Sequence, residues 1–229
     1  MANFENSDEL ILKDVRLDYF DAWTPGEPQS AADKANPKKW KYKAKVIFAP
    51  DSPAATAAKT GLMQAATKLW GANAANMLRS LPTNSKAVRK GDDSLAADGS
   101  VRPNYAGMLF ASASNVQKPA VVGQAKHNGK FVHISADGLA YVDGAIVAPA
   151  YKITAPYRGC YVNLKLQFIA GKADPARDMP NQVYAKLIAI QFVRDGEAFG
   201  NAPTSAEGFD DEAVESNGAG IDGSEDGLF

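Results

Sequence analysis

Strict alternation of residue types in three segments constrains the fold of this chain more than any other feature. Residues 38–48 carry a lysine at every second position from Lys39 to Lys45, with apolar or aromatic residues between them. Residues 160–168 and 183–193 also alternate. Successive side chains of a strand point to opposite faces, so a period of two predicts β-strands with one buried face each.

A helix is predicted between Ser52-Pro53, which have the form of an N-cap and a first-turn proline, and Pro82. Apolar residues recur there at spacings of three and four, with an interruption expected at Gly71. Residues 83–104 lack periodicity and are predicted to form a long polar loop.

Short apolar segments separated by Gly, Pro and Asn predict further strands. They lie at residues 108–113, 120–122, 131–134 and 145–147. A half-buried strand is also predicted at residues 15–19, with Val15, Leu17 and Tyr19 on one face and Arg16 and Asp18 on the other. Many short strands with one helix near the middle predict a mainly β protein, a small barrel elaborated by an inserted helix and extra strands.

The charge of the chain is divided unevenly between two regions. Residues 207–229 contain eight acidic residues and no Lys, Arg or His. Residues 1–206 keep all 25 basic residues but only 18 of the 26 acidic ones, which gives a net charge of +7. We therefore expect a basic folded domain at 1–206 and a disordered acidic interaction tail at 207–229, a division typical of nucleic-acid-binding proteins.

Several classes of protein are disfavoured by the same sequence. There is no apolar run of membrane-spanning length, and the single Cys160 excludes an intramolecular disulfide, so we expect a cytoplasmic protein. Neither a GxSxG nor a Walker lysine motif occurs, and no enzyme activity or cofactor is expected. A nonstandard metal site at His127, His133 and Cys160 is the enzymatic alternative.

The lysine-rich segment is the strongest binding signal. Lys39, Lys41, Lys43 and Lys45 would repel one another unless an anion neutralised them, and they would follow a phosphate backbone while aromatic faces stack on bases. Trp40 and Tyr42 are the stacking candidates on this strand. Two alternatives are open: the aromatics fill the core with Val46 and Phe48, and the lysines only protect a sheet edge.

Two further groups combine basic and aromatic residues. In the first, Arg89, Lys90 and Arg102 lie in the polar loop with Tyr105 just after it. The second group consists of Tyr151, Lys152, Tyr157 and Arg158, just before a predicted strand. Both groups are candidates for phosphate contact and base stacking. An ordinary polar loop and core or surface tyrosines are the alternatives.

Two motifs carry a resemblance to a known family. Residues 157–163 (YRGCYVN) and 191–200 (QFVRDGEAFG), supported by 102–122, resemble a phage and prophage family formerly called a domain of unknown function. That family is now described as single-stranded DNA-binding proteins with an OB-fold. The resemblance covers roughly residues 10–210 and implies a five-stranded OB-type barrel that binds single-stranded DNA in phage replication or recombination.

The end of the sequence is similar to the acidic, Phe-terminated tails of phage and bacterial replication proteins of this kind. The residues that carry this similarity, and that we expect to bind a partner, are Asp222, Glu225, Asp226, Leu228 and Phe229. The expected partners are single-stranded DNA and replication proteins such as a polymerase, helicase or primase. Self-association is left open. A phage structural or carbohydrate-binding β-protein and a strand-annealing recombination protein are the alternative functions.

Overall fold

The computed structural model of the chain describes residues 3–28, 31–136, 138–147, 154–177 and 179–199. Within these residues the strands are β1 (Phe4–Gly26), β2 (Lys41–Phe48), β3 (Val88–Lys90), β4 (Leu109–Asn115), β5 (Ala120–His127), β6 (Lys130–Ile134), β7 (Ala140–Val142), β8 (Ala145–Ile146), β9 (Tyr161–Gly171) and β10 (Gln182–Arg194). The α-helices there are α1 (Ala31–Lys34), α2 (Pro53–Trp70) and α3 (Ala74–Ser80).

Five of these strands close into a barrel. β1 pairs antiparallel with both β2 and β9, β2 pairs with β4, and β9 pairs with β10. β10, the last strand of the described residues, then runs parallel to β4 and completes the ring. The predicted mainly β fold, a five-stranded barrel with an inserted helical segment and extra strands, is confirmed.

The barrel interior is filled by the apolar faces of the alternating strands. Its fully buried members include Leu12, Leu17, Val46, Leu164, Leu166, Phe168, Leu187 and Ile190. A strand that is apolar at every second position can bury that whole row in one core, which is why the alternation located β2, β9 and β10 correctly. Only the start of β2 differs, because Pro37–Lys39 form a 3₁₀ turn capped by Asn36.

A β-bulge interrupts β1 where the sequence predicted regular alternation. Leu17 pairs with Val46 and Tyr19 with Lys45, so Asp18 is an extra residue in this strand. Asp18 is consequently only 5% exposed, whereas Tyr19 is 41% exposed. The predicted faces of these two residues were wrong, because one inserted residue exchanges the two faces of a strand.

The helical segment lies where the sequence placed it and packs across β1 and β9. Ser52 caps α2 by accepting a hydrogen bond of 3.2 Å from the amide of Ala55. The helix ends at Gly71, whose positive φ breaks the helical path, and α3 follows after one 3₁₀ turn. No described helix has both the length and the apolar character needed to cross a membrane.

Two additions extend the sheet beyond the barrel. The predicted polar loop at 83–104 is partly wrong, because β3 lies within it and pairs with the edge of β4. On the other side, β5 runs parallel to β10, and β6, β7 and β8 follow it as a meander. We call these four strands the arm.

Candidate nucleic-acid interface

A groove of about 840 Å³ lies over β1, β2 and β4, and we call it the lysine groove. Its lining combines lysines with small polar residues and one exposed aromatic ring. The main lining residues are Tyr19, Asp33, Lys38, Lys39, Lys41, Lys43, Lys45, Ser112 and Ser114. Pairing of Lys43 with Ser114 and of Lys45 with Ser112 sets these side chains in rows across adjacent strands.

The positive charge of this groove is only partly compensated. Lys39 forms an ion pair with Asp33, and Lys45 lies 4.0 Å from a carboxylate oxygen of Asp18. Across the ranges that the structure covers, Lys38, Lys41 and Lys43 form no salt bridge. Neighbouring ammonium groups without carboxylate partners attract a polyanion.

The predicted groove residue Lys39 does line the groove, but not as part of the strand. It ends the 3₁₀ turn before β2, together with Lys38, which sequence reasoning had not selected. The signal for this turn was present in Asn36-Pro37, since Asn accepts a capping hydrogen bond and Pro suits the first position.

The two aromatic residues predicted for this strand lie elsewhere. Tyr42 is half-buried and packs against the barrel core, on the same face as Ala44 and Val46. Trp40 precedes β2 and donates from its indole nitrogen to the carbonyl of Lys34 at 3.2 Å. Period two carries the Tyr42 ring toward the core, which favours the core-filling alternative, and neither Tyr42 nor Trp40 is part of the groove lining. Their stacking roles stay predictions.

Tyr19 occupies the position that those aromatics were expected to fill. It lines the lysine groove beside Lys45, and the bulge at Asp18 is what turns its ring outward. Its hydroxyl donates a hydrogen bond to Asp21, which raises the pKa of Tyr19 to about 12. The ring is 41% exposed and is a suitable stacking surface for a base.

A second basic group surrounds the buried carboxylate of Asp18. The Asp18 cluster consists of Asp18, Lys45, Arg89, Arg102, Tyr105 and Arg158. Arg158 donates from Nε to the carbonyl of Asp18 at 2.6 Å and from Nη2 to its carboxylate at 3.3 Å. The hydroxyl of Tyr105 donates to the other carboxylate oxygen. Residues predicted from two distant sequence segments are thus brought together.

Two cations, Lys45 and Arg158, lie against this carboxylate, and two further arginines lie close enough to Lys45 to affect it. Burial lowers the pKa of Lys45, and the guanidinium groups of Arg102, Arg89 and Arg158 lower it further, while Asp18 acts in the opposite direction. Lys45 Nζ and the guanidinium carbon of Arg89 lie 5.6 and 5.9 Å from the centroid of the Phe110 ring. The crowding of positive charge around Lys45 favours an additional anion.

Tyr105 belongs to this cluster but cannot stack on a base in this arrangement. Its side chain is 1% exposed, packs edge-on against Phe110 at 5.2 Å and contributes to a small core with Ile47. Burial, together with the hydrogen bond to Asp18, raises its pKa well above the ordinary value for a tyrosine. The prediction that Tyr105 stacks is wrong, because long-range packing covers the ring.

Tyr157, another tyrosine predicted to stack, is held by contacts within the protein, and its stacking role stays a prediction. Its half-buried ring packs against the barrel core, and its hydroxyl lies 3.0 Å from Asp195 Oδ1 and 2.9 Å from the Gly196 carbonyl oxygen. Lys90 is exposed at the end of β3. Tyr151 and Lys152, and the tail residues Asp222, Glu225, Asp226, Leu228 and Phe229, lie outside the described residues.

The two sequence motifs at 157–163 and 191–200 meet in space and hold Arg158. A Cβ at Gly159, whose φ is +101°, would lie 2.1 Å from the carbonyl oxygen of Glu197. The amide of Phe199 donates to the carbonyl of Arg158 at 3.1 Å. Glycine is therefore required for a close backbone crossing beside the basic cluster.

The three residues of the alternative metal site are not gathered into a ligand set. His127 and His133 lie on the arm, and Cys160 is buried just before β9, where burial raises its thiol pKa to about 11. Over the described ranges, no three His, Cys, Asp or Glu side chains come together as metal ligands do.

Solved structures with a similar fold are phage proteins. The single-stranded DNA-binding protein of bacteriophage Enc34 in complex with ssDNA has a TM-score of 0.55 and 15% identity, covering 84% of this chain and 89% of that one. Another structure of the Enc34 protein has a TM-score of 0.53 and 14% identity, covering 86% and 87%. At these identities the likeness concerns the fold.

Sequence comparison adds a relative and a family. "Putative protein p50" of Acyrthosiphon pisum secondary endosymbiont phage 1 is 35% identical over 112 residues, or 47% of this chain. The match spans less than half of that relative, 45% of its length. A family model described as "Enterobacter phage Enc34, ssDNA-binding protein" matches residues 8–218. The chain therefore belongs to the Enc34 phage single-stranded DNA-binding protein family.

Proposed function

We propose that this protein binds single-stranded DNA with little sequence preference and protects it during phage replication or recombination in the host cytoplasm. The observation that supports this most directly is the lysine groove, whose unpaired ammonium groups lie on the barrel beside the exposed ring of Tyr19. Family membership supports the choice of single-stranded DNA as the anion.

In this proposal the backbone and the bases have separate partners. Lys38, Lys41 and Lys43 contact phosphates, Lys45 and the arginines continue the charged path, and Tyr19 stacks on a base. Serine hydroxyls at Ser112 and Ser114 can donate to phosphate oxygens. None of these contacts reads a base edge, which accounts for the proposed tolerance of sequence.

The test is a titration of the full-length protein with dT and dA oligonucleotides over a range of salt concentrations. Neutralisation of about five phosphates gives a slope of log K against log salt near −3.5, at roughly 0.7 per phosphate. Duplex DNA of the same length is the competitor and should bind more weakly. Affinity that is independent of salt, or equal for the duplex, would contradict the proposal.

We also propose two uses for the acidic tail at 207–229. Its carboxylates compete with DNA for the lysine groove, and Leu228 and Phe229 bind a replication protein once DNA has displaced the tail. A tether of this kind gives a local concentration on the order of millimolar. Truncation after Gly208 should tighten DNA binding at low salt and abolish partner binding. Identical DNA affinity of the two forms would exclude competition by the tail.

A further inference from the structure

The bulge in β1 places a carboxylate inside a binding face whose ligand is expected to be anionic. Asp18 is 5% exposed and sits between the lysine groove and the arginines next to it. A buried charge costs free energy unless it is well paired, and here the pairing partners are the cations that would otherwise bind phosphate. This arrangement calls for an explanation beyond general attraction of DNA.

Asp18 fixes the direction of Arg158 through two bonds on one guanidinium edge. Nε donates to the carbonyl and Nη2 to the carboxylate, at 2.6 and 3.3 Å. Arginine has five N–H donors in a rigid plane, so three of them lie outside these two bonds. The Arg158 side chain is 56% exposed, so the edge that is not bound to Asp18 is accessible from solvent.

The same carboxylate also contacts two other members of the cluster, Tyr105 and Lys45. The hydroxyl of Tyr105 donates a hydrogen bond to Asp18 Oδ2. Lys45 Nζ lies 4.0 Å from the same oxygen, and only 30% of the Lys45 side chain is exposed. Lys45 and Arg89 both lie against the ring of Phe110. Arg158, Lys45 and Arg89 are therefore each held by a buried neighbour, and rotamer freedom is lost before any ligand arrives.

We infer that Asp18 is a positioning residue that orders Arg158 and Lys45 into a preformed seat for one backbone phosphate, with Arg89 and Arg102 beside it. This inference rests on the proposed function, since it names a defined phosphate position at the Lys45 end of the lysine groove. The ligand class is a phosphodiester, which matches the planar fork of Arg158 in a bidentate manner.

The direction in which Asp18→Asn changes DNA affinity distinguishes a positioning role of Asp18 from a purely electrostatic one. Asp18→Asn removes a negative charge from a face that binds a polyanion, so long-range attraction alone predicts tighter binding. Asparagine keeps the backbone carbonyl that accepts from Nε of Arg158, but it loses the charge that holds Nη2 of Arg158 and the ammonium group of Lys45. We therefore expect roughly tenfold weaker binding of a dT oligonucleotide. The salt slope should become less steep by about 0.7, which corresponds to one phosphate contact.

The control is Asp8→Asn, which removes the same charge from the same strand. Asp8 is exposed and bonds to Gln64 and Lys68 of α2 rather than to the groove. It should bind within twofold of the wild type. Binding by Asp18→Asn that equals or exceeds the wild type overturns the inference, whereas failure of the wild type to bind would contradict the proposed function itself.

A double-mutant cycle with Arg158→Gln tests the route of the effect. If Asp18 acts mainly through Arg158, Asp18→Asn should change affinity less than threefold once Arg158 is absent. The same tenfold loss in both backgrounds would overturn the inference. Should Asp18→Asn fail to fold, Tyr105→Phe removes only one donor to Asp18 and should weaken binding about threefold. Unchanged affinity of that variant would contradict the inference equally.

Discussion

Two grooves, one over β1, β2 and β4 and the other over β5, β6, β9 and β10, differ in how their charges are compensated. The lysine groove contains three lysines without a salt bridge among the described residues. The groove beside the arm, of about 520 Å³, is lined by Lys130 and Lys165, and each forms an ion pair of 2.6 Å, with Asp143 and Glu9 respectively. Surface ion pairs contribute little to stability, but they cancel the local field.

Unpaired charge, rather than the presence of lysines or of a cavity, distinguishes the proposed binding face from the second groove. Both grooves offer an exposed aromatic ring, Tyr19 in one and Phe131 in the other. The comparison can therefore be tested with matched substitutions on the two sides, and four such tests follow from the largest expected effect to the smallest.

Charge reversal should give the largest contrast. Lys41→Glu combined with Lys43→Glu removes two proposed phosphate contacts and adds two repulsive charges, so affinity for a dT oligonucleotide should fall at least about 100-fold at moderate salt. The matched variant Lys130→Glu with Lys165→Glu makes the same change of net charge beside the arm and should cost less than about threefold. Equal losses would show that binding follows net charge and not the groove.

The backbone at Gly159 passes very close to the backbone at Glu197, so adding a methyl group at Gly159 should destabilise the protein more than adding one at a glycine of the arm. Gly159→Ala combines a positive φ with a contact of 2.1 Å to a backbone oxygen and should reduce the free energy of unfolding by about 3 kcal/mol. Gly129→Ala, at an arm turn with φ +79° and no atom within 4 Å, should cost only about 1 kcal/mol.

Urea denaturation monitored by tryptophan fluorescence measures both changes. Cys160 gives an independent readout, since it is fully buried and its thiol should react with a labelling reagent only on unfolding. If Gly159→Ala is no less stable than Gly129→Ala, the close crossing of the two motifs is not a constraint on the fold.

Removal of an aromatic ring should give a smaller effect on binding. Tyr19→Ala should weaken binding about tenfold, within the range of 1–3 kcal/mol for a stacked base, and leave the salt slope unchanged because no charge is lost. Tyr19→Phe retains the ring and should bind nearly as the wild type does. Phe131→Ala on the arm is the control and should change affinity less than twofold. An equal loss at Phe131 would place DNA on both sides.

The barrel and the lysines were predictable because both depend on local alternation. β2 and β9 each carry an uninterrupted apolar row, and that row specifies the buried face without knowledge of the partner strands. Lys41, Lys43 and Lys45 then follow on the other face. The helical segment was predictable for the same reason, since Ser52, Pro53 and Gly71 mark its limits locally.

The roles of the aromatic residues were not predictable, because burial of a single ring depends on distant segments. Tyr105 is covered by packing against Phe110 and by a bond to a residue 87 positions away. The bulge at Asp18 carries no glycine or proline that would signal it. One unsignalled residue therefore inverted the prediction for Tyr19 and concealed the buried carboxylate.

The smallest expected effect is a dependence of DNA affinity on pH. It should arise at Lys45, the partly buried end of the lysine groove, and not at Lys41, the exposed end. Because burial and the nearby arginines lower the pKa of Lys45, this residue loses its proton at a lower pH than an ordinary lysine. A bound phosphate favours the protonated form. Affinity should therefore fall by roughly twofold to threefold as pH rises through the lowered pKa of Lys45.

Titration of a dA oligonucleotide between about pH 7 and pH 10 measures this, since adenine bases do not ionise in that range. Lys45→Arg keeps the charge throughout, because a guanidinium stays protonated, and it should flatten the profile. The same substitution at the exposed Lys41 is the matched control and should leave the profile as steep as that of the wild type. If Lys41→Arg flattens the pH profile as much as Lys45→Arg does, the partial burial of Lys45 is not the cause of the pH dependence. The predicted difference between these two lysines would then be wrong.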